Sequence, residues 1–223
     1  MVAVKDRLNA LKNPYAHLQL PEICADMVKA SPMLWDPIRY LETCPSSDGA
    51  CALVLTSEGA AKRARSQPAW VRGTAVRTEP AVFAGRDQVS PRAGRECAAD
   101  LYRQAGVTRP RDQIDVLEIY VPFSWFEPMW LENLGFADEN QGWRLVVDGD
   151  TALGGGLPVN PSGGVLSSNP IGASGMLRFA EAAMQVRGQA GAHQVEGARM
   201  ALGHAYGGAS QFFSMWLVSS ERG

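Results

Sequence analysis

Hydrophobic positions along this chain alternate between helical and strand spacing. Across residues 92–105, Cys97, Ala98, Leu101 and Ala105 fall on one face while Arg95, Glu96 and Arg103 fall on the other, which predicts an amphipathic helix. Gly106 is placed to end it in a left-handed turn. A second helix is predicted over 171–188, with Arg178, Glu181 and Gln185 marking its wet face and Leu177, Ala180, Ala183 and Met184 its buried face. The run 48–56 is apolar, of strand length and beside a glycine, so it reads as a buried strand. Residues 70–78 alternate moderately and 115–121 are rich in β-formers. The chain closes on a hairpin pattern, 199–206 and 211–219 about a Gly207-Gly208 turn. Ser57 with Glu58 in the first turn starts a short helix over 57–65, and the aromatic stretch 123–134 reads as another. Residues 142–164, dense in Gly and Pro, read as loop. The first residues resemble the end of a helix, followed by an Asn13-Pro14 loop signal and a polar loop to about Pro45. Alternating strands and helices predict an α/β layered fold.

Composition changes this picture only by exclusion. With 46% hydrophobic and 20% charged residues in 223, the chain can bury one large core or two modest ones. A net charge of −2 argues against nucleic acid as a partner. Neither a membrane-length apolar run nor a signal-peptide pattern is present, so a cytoplasmic location is the default expectation. The cysteines, Cys24, Cys44, Cys51 and Cys97, lack metal-ligand spacing and read as structural, Cys51 and Cys97 as core. No metal site is expected.

Three segments could carry chemistry. Asn160-Pro161-Ser162-Gly163-Gly164, followed by Ser168-Asn169-Pro170-Ile171-Gly172-Ala173-Ser174-Gly175, is a glycine-rich loop emptying into a helix amino terminus. Such a loop lets backbone amides approach a ligand oxygen, or simply packs tightly against a neighbouring helix. Asp115-Val116-Leu117-Glu118-Ile119-Tyr120 puts Tyr120 at the carboxyl end of a strand, where α/β folds gather ligands, though a core tyrosine would look the same. In Gly203-His204-Ala205-Tyr206-Gly207-Gly208, the period of two puts His204 and Tyr206 on one side of a strand. Histidine is the usual acid–base group near neutral pH. No P-loop, dinucleotide fingerprint or serine-hydrolase elbow is present.

In this order, the three segments resemble the thiolase superfamily, in particular the branch of the sterol carrier protein x thiolases and "lipid-transfer proteins". That branch reads D-V-x-E-V-H-D-C-F where this chain has Asp115 to Phe123, with Tyr120 in place of the His. It reads N-P-x-G-G and G-H-P-x-G-A-[ST]-G where this chain has Asn160 to Gly164 and Ser168 to Gly175, with Asn169 in place of the His. Degradative thiolases carry C-x-G-G-G where this chain has His204-Ala205-Tyr206-Gly207-Gly208 and no Cys.

The resemblance implies an αβαβα layered fold and an acyl-CoA thioester as substrate, with no tightly bound cofactor. It implies that residues 1–65 are the loop region and last strand of a first half, and 70–223 the second half. An exposed apolar edge and poor solubility of the chain alone would follow. Without thiolase cysteines, the set Tyr120, Asn169, His204 and Tyr206 resembles the aldolases that cleave a β-hydroxyacyl-CoA on a steroid side chain. By that resemblance Tyr120 or Tyr206 transfers the proton, with His204 as its hydrogen-bonded partner. Asn169 and amides near Gly172, Ala173 and Ser174 would face the enolate oxygen, and Ser162, Gly163 and Gly164 would help hold the thioester. A homodimer and a small OB-fold acyl-CoA-binding partner are implied. The alternatives are an acyltransferase whose nucleophile lies in the other half and a non-catalytic acyl-CoA or lipid binder. The aromatic stretch with Trp125, Phe126 and Trp130 would then be a partner contact, a substrate wall or core.

Overall fold

The computed structural model describes residues 1–80 and 85–222, so 81–84 and Gly223 of the expected second half lie outside the description. Helix α1 (Val2–Ala10) and α2 (Ala25–Ala30) precede a short hairpin, β1 (Met33–Trp35) with β2 (Ile38–Arg39), and one helical turn α3 (Glu58–Ala61). Strand β3 (Trp70–Thr78), helix α4 (Arg92–Ala105), turn α5 (Pro110–Gln113) and strand β4 (Val116–Glu118) follow. Helices α6 (Phe126–Asn133), α7 (Gly142–Val147), α8 (Gly164–Ser167) and α9 (Ser174–Val186) lead to β5 (Met200–Gly207) and β6 (Phe212–Ser219). The last two strands pair antiparallel with β3 on one side, while β4 joins β5 in parallel, giving the order β3-β6-β5-β4.

The period of two decides what each face of this sheet meets. Leu202 on β5 with Phe213, Met215 and Leu217 on β6 joins Cys97 and Leu101 of α4 and Trp130 of α6 in the larger core. The intervening Ala201 and Val218 join Ala182 and Val186 of α9 in a smaller one on the opposite face. Gly203 is required there, because any Cβ would drive into the indole of Trp216. Helix α4 keeps its predicted limits, and Gly106 ends it at φ +69°.

Several expectations are corrected. The apolar run 48–56 forms no strand, and Leu53, Val54 and Leu55 are exposed; a strand needs a partner for its backbone, and no described strand pairs with it. Cys51, expected in the core, is therefore only half-buried. The helix expected over 57–65 shortens to α3, and the loop expected over 142–164 contains α7. On α9 the polar face is reversed: Arg178, Glu181 and Gln185 are buried. Arg178 ion-pairs with Glu118, Glu181 accepts from His193 at 2.9 Å and from Asn13 at 3.1 Å, and Gln185 donates to the His193 carbonyl at 2.8 Å. These partners satisfy the buried polar groups without water.

Candidate active site

Tyr120 stands just beyond β4, and its backbone is fixed from both sides. Its carbonyl accepts from the Trp130 indole at 2.8 Å, and its N–H donates to His204 Nδ1 at 3.4 Å. One residue earlier, the Ile119 N–H donates to Asn160 Oδ1 at 2.9 Å, tying the segment to the glycine-rich loop. The Tyr120 hydroxyl donates to Asn169 Oδ1 at 3.0 Å, and the Ser174 hydroxyl donates to the same oxygen at 2.7 Å. Two donors on one oxygen fix the orientation of the Asn169 carboxamide, so its Nδ2 turns to Cys44 Sγ at 3.2 Å. The Tyr206 ring packs edge-on to Tyr120, with centroids 5.4 Å apart, and against Trp130 and Phe126. Tyr120, Tyr206, Asn169, Ser174 and Cys44 thus converge from five separate segments.

Cys44 is the residue that motif reading passed over, having read it as structural. Its segment is held by Arg7, whose guanidinium donates to the carbonyls of Leu41 and Thr43 at 3.1 Å each. The Cys44 N–H donates to the Pro122 carbonyl at 2.8 Å, and Ser47 exchanges hydrogen bonds with Asn169. No local signal announced this, since the placement depends on a buried arginine and a contact across the fold.

Electrostatically the cluster is neutral. Burial raises the Tyr120 phenol, with the nearby Cys44 thiol adding to the effect, and raises Tyr206 further. Burial also raises the Cys44 thiol, against the hydrogen bond from Asn169. Both phenols and the thiol are therefore protonated near neutral pH. His204 shares a side of β5 with Tyr206, both rings packing on Trp130 and Phe213. It is fully buried, and desolvation lowers its pKa to about 3. Its Nδ1 is occupied by a backbone N–H rather than a tyrosine hydroxyl, which corrects the expected pairing.

The other predicted residues are divided. Ala173 and Ser174 open α9 beside Asn169, but both their N–H groups donate to the Pro170 carbonyl, so only the Ser174 hydroxyl serves the cluster. Gly172 is exposed next to them. Ser162, Gly163 and Gly164 lie buried in a separate place, against α1: at φ +90°, a Cβ on Gly163 would stand 2.6 Å from that of Ala10. Ser162 donates to Glu118 through its N–H at 3.1 Å and its hydroxyl at 2.8 Å. Among the described residues there is no cluster of side chains fit to hold a metal ion, and no helix is long and apolar enough to cross a membrane.

Comparison with known proteins agrees with this architecture. Residues 74–219 match the family model of the thiolase C-terminal domain-like family. The acetyl-CoA acetyltransferase of Methanothermobacter thermautotrophicus is 36% identical over 210 residues, covering 93% of this chain and 54% of the relative. Human sterol carrier protein 2 is 37% identical over 210 residues, covering 91% of this chain and 38% of the relative. The chain thus spans about half or less of the length of these relatives. A solved Ltp2-ChsH2(DUF35) aldolase superposes on all of this chain and 58% of its own, with a TM-score of 0.87 and 26% identity. The chain belongs to the thiolase superfamily, in its sterol-carrier-protein branch, and has the mixed α/β fold of that group.

Proposed function

We propose that this chain carries the acid–base half of a retro-aldol site that cleaves a β-hydroxyacyl-CoA, on a steroid side chain, and releases a short acyl-CoA. The supporting observation is the neutral cluster of two phenols and one carboxamide, in which the only thiol is held protonated. In this reaction the bond between the α and β carbons breaks. The β-hydroxyl gives up its proton as it becomes a ketone, the electron pair passes to the thioester enolate, and the α carbon then takes a proton. The proton moves from hydroxyl to α carbon with no net loss, so a phenol that receives one proton while delivering its own remains neutral throughout. Raised phenol pKa values suit that shuttle and disfavour a resting phenolate base. Asn169 has a second N–H on Nδ2 beyond the one directed at Cys44, available to the thioester oxygen as it gains charge. His204 fixes the backbone of Tyr120, and Ser174 the carboxamide.

On this reading residues 1–65 are the end of a first half and 70–223 the second, the working enzyme is a cytoplasmic homodimer, and a small acyl-CoA-binding protein assembles with it, as a DUF35 protein does in the aldolase of similar fold. The coenzyme A thioester is substrate, with no tightly held cofactor. The names of the acetyltransferase relative and of benzoylsuccinyl-CoA thiolase subunit BbsB, 35% identical over 211 residues, favour a second reading, acyl transfer through a cysteine of the other half. Turnover of a β-hydroxyacyl-CoA, followed as ketone release with the chain in its full assembly, tests the first. Tyr120→Phe and Tyr206→Phe should each slow it about 10²–10⁴-fold. Unchanged turnover in both variants, or an acyl group trapped on a cysteine, would sink the retro-aldol reading.

A further inference from the structure

A cleft of about 790 Å³ opens beside the tyrosine pair, within the roughly 300–1,000 Å³ typical of small-molecule sites. Its walls are mainly apolar, from Phe123, Trp125, Phe126, Met129 and Trp143, and Tyr206 lines it. Glu132 is the single charged residue among those described there, and its Oε1 is occupied by the Gly142 N–H at 2.9 Å. Trp125 and Trp143 remain 39% and 51% exposed, large indole surfaces left in water at the edge of a concavity. Phe123 and Trp125 stack at 4.8 Å with their planes within 8° of each other, so together they present a flat wall. The rim at Ala209 and Ser210 has both residues in the left-handed region, φ +50° and +64°, a strained conformation of the kind that accumulates at functional sites.

We infer that this cleft binds the acyl group beyond the β carbon, and that it selects a rigid, ring-built hydrocarbon over a linear chain. The occupant follows from where the cleft leads. Its Tyr206 wall is the same ring that packs on Tyr120, so a group lying against the indoles brings its near end to the phenols. A flat aromatic wall gains most from a ligand that is itself flat and already rigid, because a flexible chain loses conformational freedom on being laid along it. This assignment rests on the retro-aldol reading for the identity of the group, though the cleft itself does not.

The probes are cholate, below its micellar concentration, as the ring-built carboxylate, and decanoate as the linear one, titrated calorimetrically into the full chain. Cholate should bind at least about tenfold more tightly than decanoate. Trp125→Ala and Trp143→Ala, both at exposed positions where folding is not at stake, should each weaken cholate several-fold, with Trp125→Phe largely restoring it. Tyr120→Phe should leave cholate binding unchanged. Equal affinity for the two probes, or no loss in either tryptophan variant, overturns the inference even if turnover is present. So does a Trp125→Ala chain that binds cholate normally but no longer assembles with a partner protein. Selective cholate binding that depends on Trp125, in a chain whose tyrosine variants lose no turnover, upholds the cleft and overturns only the retro-aldol reading.

Discussion

Two residues apart on one segment, Glu118 and Tyr120 enter clusters of opposite chemistry. Glu118 meets Arg178 and Ser162, and beyond them lie Glu181, His193 and Asn13, a buried region built of charges matched to charges. Tyr120 meets Tyr206, Trp130, Asn169 and the Cys44 thiol, a region with no formal charge that opens through Tyr206 onto a cleft. The ionic region joins α1, β4, α9 and the 160–164 loop and has no space left for a ligand. The neutral region keeps its protons through burial and leaves one wall unfilled. Similar degrees of burial thus serve cohesion in one place and poised proton transfer in the other.

The difference should appear first as stability. Arg178→Met leaves Glu118 buried without its cation and deprives Glu181 of a nearby one, and breaking a buried pair from one side costs about 3–5 kcal/mol. Tyr206→Phe, which removes only a hydroxyl from a half-buried ring, should cost about 1 kcal/mol or less in the same denaturant titration. Comparable losses would mean that the two regions are not specialised as described.

The two buried histidines should respond to pH in opposite directions. Burial works against charge on His193, but the hydrogen bond from Glu181 prevails and raises its pKa. A raised value stabilises fully below the unfolded value of about 6.5 and is lost as pH rises through the folded one. His204 is lowered to about 3 by burial alone, so the unfolded chain takes up a proton below about pH 6.5 that the folded chain refuses. Between pH 6.5 and 5 that difference costs the fold about 2 kcal/mol, at about 1.4 kcal/mol per pH unit. Relative to the wild type, His204→Leu should therefore gain about that much stability when the pH falls from 7 to 5. His193→Gln should instead lose ground at pH 5 relative to pH 8. Shifts of the same sign in both variants would refute the contrast.

The sequence made the frame legible where the information was local. Helix α4 could be read from its apolar spacing and Gly106, and the closing hairpin from its alternation and paired glycines. It was misleading where a partner lay far along the chain. Arg178, Glu181 and Gln185 look like a solvent face until Glu118, Asn13 and the 193 region are brought to them. The run 48–56 has strand composition, but composition cannot supply the neighbour that makes a strand. In the candidate site, motif comparison found the positions that reach Asn169 from Tyr120 and Ser174, because substituted motif residues mark themselves. It passed over Cys44, whose place is set by the grip of Arg7 on Leu41 and Thr43.

Cys44 also gives the smallest predicted effect, and the one that separates the two possible chemistries. Its thiol accepts one hydrogen bond from Asn169 Nδ2, while the carboxamide is already oriented by Tyr120 and Ser174 through its oxygen. Removing the thiol therefore deletes one neutral hydrogen bond, about 0.5–1.5 kcal/mol, and leaves the orientation in place. Since about 1.4 kcal/mol is a factor of ten, Cys44→Ala should lower turnover by no more than about tenfold, and Cys44→Ser by less. A neutral tyrosine site tolerates that loss. A site in which Cys44 forms a covalent acyl intermediate does not, because no other group could replace the nucleophile. If Cys44→Ala stops turnover as completely as Tyr120→Phe, the thiol belongs to the reaction, and the neutral cluster would have to be read as the setting of a cysteine instead of a pair of phenols.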